Sequence, residues 1–406
     1  MPGVRLAACP LALAAGSLPV IDRPASPRLR FQLLAFTLTR SVISTGYRMI
    51  YPFLPFIARG LNIPLATVAL AVTARSTLGI ASPFLGSFAD VRGRKATMLF
   101  GIGLFAAALI LVGVWPTVPG LFISMILAAL GKIIFDPAMQ AYLGDRVAYS
   151  RRGLAIALTE FGWSGAFIVG VPVAAWLIAR GSWSTPFPWF AGLACIGGIV
   201  IWRIMPADQA HVDAHPTWIS GFRSVLGSPS ALAGLAVGVF ISSSNEMVNI
   251  IFGAWLEDSF GLKVIALGAA TAVIGVAELG GESLVAGLVD RLGKRRSVAI
   301  GIVLNALAGM ALPSLGRSLP GALAGLFLIY LTFEFTIVSA IPLMTELVPG
   351  ARATVMAANV GSHSAGRALG ALIGPALFTS GLLTNVGVAA GLDLAALAML
   401  LIFVRE

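Results

Sequence analysis

Arg40, Ser44, Tyr47, Arg48 and Tyr51 recur at intervals of three and four residues in a chain of 406, and so do Lys132, Asp136 and Gln140. A third stripe holds Ser242, Asn245, Glu246 and Asn249, and a fourth holds Asn359, His363 and Arg367. On a helix, such spacing places each set on one face. Glu278 and Glu282 also stand four apart, and two carboxylates so close suit reversible protonation because both cannot ionise cheaply together. Lys132 and Asp136, opposite in sign at the same spacing, suit an internal ion pair. Histidine changes charge most readily near neutral pH, which makes His363 a further proton-handling candidate; a hydrogen-bonded packing residue is the plainer alternative. The available chemistry is proton carriage, charge pairing and recognition of a charged solute.

What surrounds these residues gives them weight. Hydrophobic residues make up 58% of the chain and charged ones 11%, with a mean hydropathy of +0.94. A soluble protein of this length could not hide so much apolar surface, so the chain is read as a polytopic membrane protein. The apolar runs are too long for barrel strands and do not alternate, which makes them helices. Twelve spans are expected, near 31–57, 64–89, 96–115, 119–143, 153–179, 186–204, 231–256, 262–289, 297–315, 319–345, 353–379 and 381–403. The polar stripes then fall inside spans one, four, seven and eleven. Span ten adds Tyr330 and Glu334, and His363 lies about 16 Å from Arg352 along its helix. A charge at bilayer depth costs at least ~2.5 kcal/mol on insertion scales, so each one calls for a functional or structural reason.

A motif repeats at fixed distance. Gly86, Asp90, Gly93, Arg94 and Lys95 close span two; Asp290, Gly293, Lys294 and Arg295 close span eight, and 290 − 90 = 200. Arg152 with Arg352 and Gly170 with Gly370 keep the same offset. Two halves in one register have the same topology, as parallel repeats. The expected division is a tail over 1–30, a six-helix bundle over 31–204, a linker over 205–230 and a second bundle over 231–406. Lys and Arg crowd the loops on one side, which assigns both termini and the linker to the cytoplasm. The net charge of +10 is thus a topology signal and not a nucleic-acid footprint.

The duplicated loop motif in this topology resembles the major facilitator superfamily, whose signature is G-x-x-x-D-x-x-G-R-K/R. The first copy meets it fully, and the second has Ala286 where its leading glycine belongs. The resemblance covers residues 30 to 405. It implies an all-α fold of two pseudo-symmetric six-helix bundles, a monomer, and secondary transport of a small solute by alternating access. It also implies a central cavity lined by spans one, four, seven and ten. Asp90 and Arg94, with Asp290 and Lys294, would then latch one conformation. Met125 stands where drug and sugar transporters of the family often carry an arginine, counting from Pro137. The fifth-span glycine motif of proton antiporters is incomplete here, at Gly162, Gly165, Gly170 and Pro172.

The candidate cavity comprises Arg40, Tyr47, Arg48, Tyr51, Lys132, Asp136, Asn245, Glu246, Asn249 and Glu334; Glu246, Glu278, Glu282, Glu334 and His363 are the proton-coupling candidates. Charge is uneven between the halves. Arg40, Arg48, Arg75 and Lys132 outnumber Asp136 and Glu160 in the first; Glu246, Glu278, Glu282, Glu334 and Asp393 face Arg367 alone in the second. Either the cations bind an anionic solute while the carboxylates carry protons, or they pair across the halves as a gate. Proton-coupled efflux of drug-like or amphipathic compounds from a bacterial-type inner membrane leads, with transport of an anionic metabolite close behind. A non-transporting receptor or scaffold on this fold is the alternative of another class. Trp183 and Trp189 read as an interfacial belt. Without a phosphate-binding glycine loop or paired metal ligands, neither ATP, nor a metal, nor any other cofactor is expected, and no enzyme activity. Cys9 and Cys195 offer no disulfide framework.

Overall fold

The computed structural model describes residues 27–82, 93–147, 149–206 and 223–404; Gly86, Asp90 and most of the expected linker lie outside the described residues. Span one is two helices, α1 (Pro27–Arg48) and α2 (Ile50–Leu61). The break at Met49 follows from Pro52, which offers the Arg48 carbonyl no N–H and crowds it with its ring. Next come α3 (Leu65–Gly79), α4 (Arg94–Val114) and α5 (Val118–Arg146). Span five is α6 (Tyr149–Gly165), a π-helical segment (Ala166–Gly170) and α7 (Val171–Arg180); α8 (Pro186–Ile204) closes the first half.

The second half repeats this plan. Span seven divides into α9 (Pro229–Asn249) and α10 (Phe252–Phe260), with its break at Ile250–Ile251, close to the repeat equivalent of the one in span one. Then follow α11 (Val264–Leu292), α12 (Lys294–Leu315), α13 (Leu319–Leu347), α14 (Arg352–Phe378) and α15 (Leu382–Phe403). The motif glycines have a backbone reason. Gly93 and Gly293 precede α4 and α12 at φ 89° and 87°, a region that suits glycine and strains other residues.

Nine helical segments among the described residues are long and apolar enough to cross a membrane. The other expected spans, at α1–α2, α3 and α14, carry Arg40, Arg48, Arg75, His363 and Arg367. Of these, α2 and α3 are apolar but shorter, at 12 and 15 residues. In the first half α1 packs on α6 and α8, α4 on α5 and α8, and α3 on α5. In the second, α9 packs on α14 and α15, α12 on α13 and α15, and α11 on α13. Shifted by six spans, the two patterns coincide. The halves join through α3 on α14, through α11 on span five, and through α2 on α10. The first two junctions are repeat equivalents, so a pseudo-two-fold relates the bundles.

Phe36, Phe53, Phe105, Phe135, Phe167 and Phe252 fill the interior, while Val114, Trp189 and Leu307 point outward as a lipid-facing surface would. Trp183 departs from the belt expected of it. It is buried, lies edge-on to Phe187, and occupies the space beside Gly60.

Candidate functional site

The Met49 break leaves Arg48 at the end of α1, facing the other half. Its Nη1 donates to Glu278 Oε2 at 2.9 Å and its Nη2 to Oε1 at 2.5 Å. Nη1 also donates to the Trp163 carbonyl at 3.0 Å. Both side chains are 4% exposed, so the pair is sealed from solvent. The guanidinium stacks over Phe167 and Trp163, at 3.6 and 4.1 Å from the ring centroids. The π segment of span five begins beside these rings, and such segments mark functional stretches of helices. A desolvated, two-bond arginine–carboxylate pair is specific in geometry and costly to break on one side.

A second cluster lies within the first half. Lys132 Nζ meets Asp136 Oδ2 at 2.5 Å along one helix face, and Arg40 Nε lies 3.6 Å from Asp136 Oδ1. Arg40 Nη1 reaches Glu160 at 2.8 Å. Gly162 makes this possible: a Cβ there would lie 2.9 Å from the Thr37 carbonyl, so α1 and α6 touch backbone to backbone. Trp163 ties the clusters together, with Lys132 5.2 Å and Arg367 5.9 Å from its ring centroid.

On span seven, Glu246 Oε2 accepts from Asn249 at 3.1 Å, and Asn249 Oδ1 accepts from the Tyr330 hydroxyl at 2.7 Å. Glu246 Oε1 and Asn245 Nδ2 are buried without partners. Opposite them, Arg75 donates to the Tyr47 carbonyl at 2.6 Å and to the Tyr51 hydroxyl at 2.9 Å. His363 is bonded to Ser242 through Nδ1 at 2.7 Å and lies in the field of Arg367, one turn along α14.

Glu278, Glu282 and Glu334 interact electrostatically with one another and with Glu160. The approach of α11 to α13 is close because Gly281 has no side chain; a Cβ there would lie 2.7 Å from the Leu331 carbonyl and 2.8 Å from Glu334 Cβ. Among the described residues Glu282 and Glu334 form no ion pair.

The two ends of the molecule differ. At the end remote from the motif loops, Arg59 grips Glu257 across the halves at 2.7 and 3.2 Å. Beside it, a Cβ at Gly253 would lie 2.5 Å from the Pro52 carbonyl. Among the described residues, no comparable packing joins α5 to α13 at the other end. There, Arg94 pairs with Asp145 at 3.4 Å and Lys294 pairs with Glu346, each within its own half. Asp290 forms no ion pair among the described residues and borders a cavity of about 340 Å³ beside Lys294 and Glu346. Asp90, its proposed counterpart in the latch, is outside the described residues.

A family profile described as Major Facilitator Superfamily matches residues 36–370 and, in a second match, 234–406. The chain belongs to the Major Facilitator Superfamily. Its relatives are transporters and not enzymes. The inner membrane transport protein YdhP of Escherichia coli (strain K12) is 25% identical, over 93% of this chain and 96% of that protein. Multidrug resistance protein 2 of Bacillus subtilis (strain 168) is 22% identical, over 82% and 84%. Among solved structures, a bacterial homologue of the human lysosomal transporter Spinster, inward-facing and unoccupied, superposes with a TM-score of 0.78. That match is 15% identical and covers 94% of this chain and 98% of the other.

In this superfamily member, Arg48, Glu278, Arg40, Lys132, Asp136, Glu246, Asn249 and Tyr330 lie together in the interior, whereas His363 is bonded to Ser242 and none of these. Sequence reasoning counted Arg75 among the intramembrane cations but did not place Phe167 in the ionic core, nor Arg59 and Glu257 at its far end. For Arg75 a signal existed: an arginine four residues before the end of α3 lies deep in an apolar run. For Phe167 none did, since a phenylalanine in a membrane helix is ordinary.

Proposed function

We propose that this protein is a proton-coupled secondary transporter that moves a small amphipathic solute across the cytoplasmic membrane by alternating access, in the exporting direction. It acts as a monomer with both termini in the cytoplasm, and its two halves rock about the ionic core. The observation that carries this reading is the group of Glu160, Glu278, Glu282 and Glu334 opposite Arg40 and Arg48, at the junction of the halves. Carboxylates that outnumber their arginine partners there can take up and release protons as partners change. With the motif loops on the cytoplasmic side, the Arg59–Glu257 end is the closed outer end, and the described state faces inward. The names of relatives such as Multidrug resistance protein 2 favour export.

Transport of an organic anion is the second reading, favoured by the pairing of Arg75 and Arg367 described below. Inverted vesicles with an acid interior, given a panel of organic anions, sugars and lipophilic cations, test the main reading through a pH dye. A solute that triggers alkalinisation in wild type and fails to do so in Glu334→Gln supports proton exchange. Silence across the panel with folded protein contradicts it.

A further inference from the structure

Helices α3 and α14 run antiparallel and cross where Gly79 faces Ser364, so closely that a Cβ at Gly79 would overlap the Ser364 hydroxyl. Arg75 lies one turn before Gly79, and Arg367 about one turn after Ser364. Because the helices are antiparallel, both steps lead to the same side of the crossing. The two arginines therefore lie on the same side of the crossing between the halves, and Tyr51 feels the charge of both.

Their charge is not balanced there. Neither forms an ion pair among the described residues. Arg75 is buried and held by Tyr47 and Tyr51, and its Nε has no acceptor. Glu246 lies in the field of both, yet its carboxylate bonds to Asn249 and not to either arginine. Asn245 Nδ2, also buried, is a second donor without an acceptor. Two cations and two orphan donors, Arg75 Nε and Asn245 Nδ2, thus accompany one carboxylate, Glu246, whose Oε1 is itself without a partner. The fold does not require this arrangement. At the equivalent crossing, of α11 with span five, the residues 200 positions on from Arg75 and 200 before Arg367 are Gly275 and Phe167.

We propose that Arg75 and Arg367 form an anion site between the halves, which takes the acidic group of an organic anion while its apolar body lies towards Trp163. That this anion is also the transported solute rests on the function proposed above. The binding itself does not.

The test uses the full-length protein in nanodiscs, followed by thermal unfolding under titration with sodium benzenesulfonate at fixed ionic strength. Benzenesulfonamide is the uncharged comparison. The expected result is a saturable stabilisation by the sulfonate and none by the amide. Arg367→Gln should fold at least as stably as wild type, because an unpaired cation has gone, and bind the sulfonate on the order of tenfold or more weakly. Arg367→Lys, which keeps the charge and loses the planar fork, should fall between them. Equal response to sulfonate and amide, an Arg367→Gln titration like that of wild type, or no saturable response would each overturn the site. A pH-dye assay in proteoliposomes separates the two claims. Saturable sulfonate binding with no proton movement for any solute leaves the site standing and contradicts transport. Proton movement with a lipophilic cation and no sulfonate binding does the reverse.

Discussion

Arg48 at the end of α1 and Glu278 on α11, 230 residues apart in sequence, share two hydrogen bonds across the junction of the halves. Trp163 and Phe167 roof the guanidinium on the amino-terminal side. The pair is attached to both rigid bodies, so any rocking that parts α1 from α11 must exchange its partners.

Removing one member alone strands the other charge in a dry interior. Glu278→Gln should cost about 3–5 kcal/mol of stability, and Arg48→Gln a similar amount. The double variant should be less destabilised than the sum of the two, because neither charge is then left alone. Thermal unfolding of the purified variants measures this, and a strictly additive double variant would count against an energetic link.

At the far end, Arg59 and Glu257 face solvent more openly, with side-chain exposures of 57% and 21%. Losing that pair should change stability by no more than about 1 kcal/mol. It should instead loosen the closed end. In a cysteine-free background, Ile57→Cys, buried beside this junction, should react faster with an impermeant maleimide once Arg59→Gln is added. Unchanged labelling would show that Pro52 against Gly253 suffices to keep the end shut.

Gly281→Ala places a methyl group against the Leu331 carbonyl and the Phe335 amide, both backbone and unable to turn aside. The expected cost is about 1–3 kcal/mol, with α11 and α13 pushed apart and Glu334 drawn away from Glu278 and Glu282. Transport should then lose its pH dependence more than Gly101→Ala does, although Gly101 is equally crowded by the Gly131 carbonyl. Similar pH profiles for the two variants would make Gly281 merely a packing residue.

Much of this was legible in the chain. The duplicated motif, the twelve spans and the polar stripes follow from period and composition, since a membrane forbids both unpaired backbone and casual charge. Lys132 with Asp136 could be read because both lie on one helix. Arg48 with Glu278 could not. Helical periodicity gives the face of each residue and nothing about which span it meets. The break after Arg48 was foreshadowed by Pro52, while the matching break at Ile250–Ile251 has no proline to announce it. Arg59 could not be read as half of a pair, because its partner Glu257 sits beyond an interruption in another span.

The central claim is that the Arg48–Glu278 pair holds the halves in the state seen here. Ala66 and Ala266 are exposed repeat equivalents at the Arg59–Glu257 end, and each can carry a spin label after Ala66→Cys and Ala266→Cys in a background lacking Cys9 and Cys195. Pulsed electron–electron double resonance between them should give a single short distance in the resting protein. With Glu278→Gln a second, longer distance should grow in. An unchanged distance distribution in that variant, with transport intact, would contradict the account.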